Sequence, residues 1–189
     1  MVEAMAYTRT DTPAAALDVL AERVPLAVVT CGADGALAVD ATTGERVHVP
    51  RVDVRATDPT GAGDVFAASL VLGTLARWPL ADRLAFSALC SALAVQQFGG
   101  SLAAPGWGDI ADWWHDTRAR GTDAALLSRY AFLDDVLPVD PVDAVRRAEA
   151  TLTLYNDLPH HRGPAGHPAA PPGPAPGASP TRPPRRGQP

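Results

Sequence analysis

Apolar residues recur in the first half of the chain at spacings that change from a helical to a strand period. Residues 12–23 place apolar side chains at helical spacing behind Pro13, which predicts a helix. Turn residues at 31–35 and 42–44 then separate short segments in which apolar residues run together or alternate with polar ones. These segments predict strands over 26–30, 36–40 and 46–49.

The second half of the chain has mainly helical periods. A small and apolar run over 63–76 predicts one helix, which Trp78 and Pro79 end. Residues 80–98 are apolar on nearly every face and predict a largely buried helix, which the glycines at 99–100 end. Two more amphipathic patterns predict helices over 109–120 and 141–155.

Composition and charge narrow the class of protein. The 189 residues are 47% hydrophobic, with a formal net charge of −5, which fits a globular protein and argues against nucleic acid as its partner. No apolar run reaches membrane-spanning length, and the first residues lack the layout of a signal peptide. We expect a cytoplasmic protein in which Cys31 and Cys90 are buried free thiols; a disulfide or metal site is the less favoured alternative.

Lysine is absent from the sequence. All 16 basic residues are arginines, so mechanisms that require a lysine are excluded. These include the P-loop, whose lysine reaches the phosphates of a nucleotide, and Schiff-base chemistry.

Residues 58–64, with the sequence Asp-Pro-Thr-Gly-Ala-Gly-Asp, form the strongest candidate for a functional motif. Amide groups at the start of the following helix lack partners within it, and the helix dipole makes the position favourable for an anion such as phosphate. Gly61 and Gly63 allow close approach to the backbone, and Asp64 offers a carboxylate beside the anion. The alternative is a plain turn in which an aspartate caps a helix.

Three segments together resemble a known family: 28–36, 58–64 and 94–100. They are similar to the nucleotide-side turn, the signature motif and the helix-end loop of the ribokinase-like (PfkB) carbohydrate kinases, in their C-terminal half. The resemblance covers roughly residues 3 to 120. It implies an α/β fold of the ribokinase-like, Rossmann-type layered class, truncated on its N-terminal side and followed by a disordered C-terminal tail.

The resemblance also implies roles for individual residues. Asp64 would be the general base, and the amides of Gly61, Ala62 and Gly63 would stabilise charge on the transferring phosphoryl group. The implied nucleotide-binding residues are Thr30, Gly32, Gly35 and Ala88. The implied metal-site residues, for Mg²⁺ and for a monovalent cation such as K⁺, are Glu3, Asp58, Thr60, Ala94, Gln97 and Gly99.

The sequence departs from the family pattern in three respects. The N-terminal half, which carries most sugar contacts in the family, has no counterpart, and Glu3 fits an Asn-x-x-Glu motif whose asparagine would precede Met1. Ala88 stands where many members have Asn or His near the adenine. Ala103 aligns near a serine found at the cation site of some members, which weakens the expectation of a cation.

Composition changes sharply after the last predicted helix. Eleven prolines and four arginines, with no acidic residue, occur among the 31 residues 159–189, and such a segment cannot bury a core. We therefore predict a nucleotide-side domain over 1–122, a helical extension over 123–158 and a disordered Pro/Arg-rich tail over 159–189.

The function expected from the resemblance is ATP-dependent phosphorylation of a sugar or nucleoside hydroxyl, with Mg²⁺ and without nucleic-acid or membrane partners. A homodimer or a partner chain would supply the missing half. Two alternatives stay open: a non-catalytic or truncated fragment that retains a nucleotide half-site, and an interaction protein that acts through its proline-rich tail.

Overall fold

A computed structural model describes residues 1–121, 123–138 and 145–147. Of the helix predicted over 141–155, only residues 145–147 are described, and they have no regular secondary structure. The rest of that prediction and the predicted tail over 159–189 lie outside the described residues.

The described residues contain an antiparallel sheet of three strands in the order β1-β2-β3. The strands are β1 (Leu26–Thr30), β2 (Ala36–Asp40) and β3 (Glu45–Val49). All three were predicted, with a single residue added at the start of β3. Gly35 makes the tight turn between β1 and β2 with φ +88°, and an added Cβ there would overlap the carbonyl oxygen of Val49. This position therefore requires glycine.

Seven helices surround the sheet within the described residues. Thr12 caps the second helix by accepting a hydrogen bond from the amide of Ala15 at 3.1 Å. The helices are α1 (Val2–Thr8), α2 (Pro13–Ala21), α3 (Ala62–Leu75), α4 (Leu80–Ala94), α5 (Trp107–Arg120), α6 (Ala124–Tyr130) and α7 (Leu133–Val136).

The prediction for α4 was wrong at its C-terminal end. The helix ends at Ala94, four residues before the predicted end, and Phe98 is exposed. The reason is a competing backbone interaction, since the carbonyl of Val95 accepts hydrogen bonds from the amides of Thr57 and Asp58 at 2.7 and 3.0 Å. The chain therefore turns towards the 58–64 segment before it reaches the glycines at 99–100.

The two faces of the sheet pack in separate apolar clusters. On one face, Ala27 and Val29 contact the side of α2 that carries Leu17. The other face packs against α4 in a larger cluster, which also takes in α3, α5, α6 and α7. The structure thus has helices on both faces of a sheet, which confirms the α/β class.

The adjacent tryptophans of α5 and the two cysteines lie in these apolar clusters. Trp114 is buried and Trp113 packs edge-on against Tyr130 at 5.0 Å between ring centroids, so the tryptophan pair belongs to the core. Cys31 and Cys90 are both free and buried, as predicted. None of the helices in the described ranges is long and apolar enough to cross a membrane.

One side of α3 is left uncovered by the described residues. Val71 is 57% exposed and Leu75 is 79% exposed, although α3 is apolar around its whole circumference. A helix of this composition is normally buried on all sides.

Candidate functional site

The 58–64 segment forms a turn that leads directly into α3. Gly61 is the N-cap residue, with φ +76°, and no side chain caps the helix. The amide of Ala62 donates to the carbonyl of Pro59 at 3.2 Å, whereas those of Gly61 and Gly63 have no hydrogen bond within the described part of the chain. The start of α3 therefore presents free donors and the positive end of the helix dipole.

Asp64 lies in the first turn of α3 with its side chain exposed. Its Oδ2 accepts a hydrogen bond from Ser101 Oγ at 3.3 Å. Ser101 was not singled out in the sequence; the signal was a hydroxyl that directly follows two glycines. The carboxylate of Asp64 and amides without partners among the described residues therefore lie together at one helix end.

A second loop, residues 95–103, lies directly against this turn. An added Cβ on Gly61 would lie 2.6 Å from the amide nitrogen of Ser101 and 2.7 Å from the carbonyl carbon of Gly100. Ser91 Oγ, on α4, donates to the carbonyl of Ala62 at 3.0 Å. The turn before α3 and the loop after α4 therefore form one packed unit.

Asp58 is the first residue of the 58–64 turn and is hydrogen-bonded to both parts of this unit. Its carboxylate accepts the amide hydrogen of Thr60 at 2.9 Å. Hydrogen bonds from the hydroxyl and amide of Thr60, and from the amide of Gly99, lower the pKa of Asp58 below its ordinary value. Asp58 and Thr60 are thus brought together with Gly99, as the cation-site prediction requires.

A cavity of about 390 Å³ lies between the β1–β2 turn, the start of α3 and α4. It brings together all four residues that were predicted to bind a nucleotide. An added Cβ on Gly32 would have no atom within 4 Å, so the backbone there is open to a ligand. The four predicted residues on its wall are Thr30, Gly32, Gly35 and Ala88.

The remaining predicted metal residues separate into two groups. Ala94 ends α4, and Gln97 and Gly99 lie in the loop that follows it, where the amide of Gly99 is hydrogen-bonded to Asp58. Among the described residues, Gln97 Oε1 is buried without a hydrogen-bond partner. A buried oxygen without a partner in this loop suits a cation that prefers oxygen ligands. Glu3, in contrast, lies on α1, which packs on α2, and its carboxylate lies 3.7 Å from the terminal ammonium.

A second cavity of about 400 Å³ begins at Asp64 and was not foreseen from the sequence. It follows the side of α3 from Asp64 to Leu72 and is closed by residues of α4 and by the segment that starts α5. Most of its wall is apolar. The residues facing α3 include Phe86, Cys90, Ser101, Trp107 and Ile110.

Comparison with known proteins adds to this geometry. A family model described as pfkB family carbohydrate kinase matches residues 2–106. The chain is 37% identical over 78 residues to ribokinase of Schizosaccharomyces pombe, which covers 41% of this chain and 24% of that protein. It is 39% identical over 84 residues to aminoimidazole riboside kinase of Salmonella typhimurium, which covers 41% of this chain and 25% of that protein.

The same fold occurs in a solved structure. Ribokinase from Thermotoga maritima superposes with a TM-score of 0.54 and 22% identity, over 60% of this chain and 38% of that one. The chain therefore shares the ribokinase-like fold, while spanning about a quarter of the length of the two curated relatives.

Proposed function

Because the chain belongs to the pfkB family of carbohydrate kinases, we propose that it acts in ATP-dependent phosphoryl transfer to a hydroxyl of a sugar or nucleoside. The observation that carries the proposal is the start of α3, where the free amides of Gly61 and Gly63 lie beside the exposed carboxylate of Asp64. Phosphoryl transfer requires positioning and charge stabilisation more than covalent chemistry, and this arrangement supplies both.

The nucleotide would lie in the cavity lined by Thr30, Gly32, Gly35 and Ala88, on one side of α3. From there its terminal phosphate would reach the amides at the start of the helix. Asp64 would accept the proton of the acceptor hydroxyl as that oxygen attacks phosphorus, with Ser101 fixing the carboxylate.

Two cations would assist this reaction. Mg²⁺ bound to the phosphates would neutralise their charge. A monovalent cation would be held by oxygens of Asp58, Thr60, Ala94, Gln97 and Gly99. The Oε1 of Gln97, which has no partner in the described part of the chain, supports an oxygen ligand set at this loop. The use of ATP and the two buried free thiols support a cytoplasmic location.

A second candidate function is nucleotide binding without transfer. It is favoured by the extent of the similarity, since the chain spans 24% and 25% of the two curated relatives. The exposure of Val71 and Leu75 on α3 fits a homodimer or partner chain that covers this face.

The variant Asp64→Asn separates the two candidates, because asparagine is nearly isosteric but cannot accept the proton. Transfer of labelled phosphate to a panel of sugars and nucleosides should fall by about 10²–10⁴-fold, with calorimetric ATP affinity retained. The matched control is Asp116→Asn, on the exposed surface of α5. Near-normal turnover by the Asp64 variant would refute the role of Asp64, and ATP binding without turnover in the wild type would favour the second candidate.

A further inference from the structure

Residues 145–147 lie across the start of α5, outside the region that the family model matches. The carbonyl of Val145 accepts the amide hydrogen of Gly108 at 2.9 Å. Arg146 forms a two-pronged pair with Asp112, with nitrogen–oxygen distances of 2.9 and 3.0 Å. The amide of Arg147 donates to Asp109 Oδ2 at 2.8 Å, so the segment is fastened at three successive residues.

The guanidinium of Arg147 reaches away from α5 to both ends of the 95–103 loop. Its Nη1 donates to the carbonyl of Leu93 at 2.5 Å and to that of Ala103 at 3.3 Å. Its Nε lies 3.7 Å from Asp109 Oδ1, and the side chains are only 11% and 17% exposed. A charged group buried to this degree interacts more strongly with its partners than a surface arginine does.

The loop closed by this guanidinium carries two of the predicted cation residues. Gln97 and Gly99 lie within it, and Ser101 within it contacts Asp64. Carbonyl groups at the end of a helix such as α4 concentrate negative potential. Ala103 brings no side-chain oxygen to a cation, but its carbonyl is already bonded to a fixed positive charge.

We propose that Arg147 is a positioning residue, a built-in cation that holds the 95–103 loop against the 58–64 turn. The nucleotide site would thereby depend less on a monovalent cation than a site without this arginine. The effect on ATP binding rests on the proposed function, whereas the effect on the position of the loop does not.

The geometry separates a positioning charge from a simple packing contact. One nitrogen bridges two carbonyls ten residues apart, while Nε lies 3.7 Å from Asp109 Oδ1, at ion-pair distance but without a hydrogen bond among the described residues. Lysine keeps the charge but lacks the planar fork, so it can hold one of these partners but not all of them. A neutral replacement removes both features.

The test compares Arg147→Ala and Arg147→Lys with Arg118→Ala in the full 189-residue chain. Arg118 is a matched control because it pairs with Asp134 at 2.7 Å on the exposed surface of α5, the helix against which residues 145–147 lie. ATP affinity is measured by calorimetry in KCl and in choline chloride of equal ionic strength. Hydrogen exchange of the amides of residues 96–103 is measured without nucleotide.

In choline chloride, the alanine variant should bind ATP about tenfold more weakly than wild type, the effect of losing one charge-assisted hydrogen bond. KCl should restore most of that loss, and the lysine variant should show a smaller loss of the same kind. Exchange over 96–103 should be faster in the alanine variant and unchanged in Arg118→Ala.

A loss that is equal in the two salts would overturn the proposal, because Arg147 would then be a structural contact only. Unchanged affinity together with unchanged exchange would also overturn it. If the alanine variant does not fold, the lysine variant decides by the same comparison of salts. If wild type binds no ATP in either salt, the proposed function fails, and the exchange measurement alone decides whether Arg147 positions the loop.

Discussion

The close approach of Gly61 to the loop after α4 leads to a quantitative prediction for Gly61→Ala. The residue has φ +76°, and an added Cβ would lie 2.6 Å from the amide nitrogen of Ser101. The obstructing atoms belong to the backbone of Gly100 and Ser101, so no side chain can rotate away to make room. The substitution must therefore separate the 58–64 turn from the 95–103 loop.

The cost has two parts, which a second glycine allows to be measured separately. Gly44, in the turn before β3, has the same φ of +76° but open space where a Cβ would be. Alanine at Gly44 should lower the free energy of unfolding by about 1 kcal/mol through the backbone conformation alone. Alanine at Gly61 should cost about 1–3 kcal/mol more, as overpacking does in a close-packed site.

Urea unfolding followed by tryptophan fluorescence measures both variants, since all four tryptophans lie in the described α3–α5 region. ATP affinity of each variant should be measured beside it, and only Gly61→Ala should lose affinity. Equal free energies of unfolding for the two variants, within about 0.5 kcal/mol, would show that the loops are not in close contact.

Two further predictions concern the core and the turn. Leu84 is fully buried on α4, so Leu84→Ala should lower the free energy of unfolding by about 2–5 kcal/mol. Leu75 is 79% exposed on α3, so Leu75→Ala should change it by less than about 0.5 kcal/mol. Similar losses for the two variants in urea unfolding would contradict the packing described. The lowered pKa of Asp58 stabilises the fold above the ordinary aspartate pKa of about 3.9, and this contribution disappears as pH falls through the lower folded-state pKa. The stability gap between wild type and Asp58→Asn should therefore narrow from pH 7 to pH 3, and a constant gap would count against the hydrogen bonds from Thr60 and Gly99.

Periodicity was sufficient for the elements whose neighbours are close in sequence. The strands and α2 follow from local patterns, because tight turns and the Thr12 cap determine where they begin and end. The end of α4 could not be predicted in this way. It depends on the carbonyl of Val95, whose partners are the amides of Thr57 and Asp58 almost forty residues earlier.

The candidate site also has a part that the sequence predicted and a part that depends on distant contacts. Resemblance to the family identified Thr30, Gly32, Gly35 and Ala88, and these residues do line one cavity. Sequence gave no reason to connect Arg147 with Leu93 or Ala103, because the contact joins segments 54 and 44 residues apart. Glu3 fits a motif by its spacing, but α1 packs on α2, so the motif alone does not bring it to Asp58.

The cavity beside Asp64 bears on where acceptor specificity resides. A sugar presents several hydroxyl groups, and a site that selects it needs hydrogen-bond partners for most of them. Along this cavity, Ser69 Oγ is already bonded to the carbonyl of Val65, and burial raises the pKa of Cys90 to about 12, so its thiol stays neutral and donates weakly. Asp64, Ser101 and the indole N–H of Trp107 are the polar groups left to meet an acceptor in the described part of this wall. If Asp64 acts on a hydroxyl as proposed, the choice of acceptor would therefore require polar groups from beyond this wall.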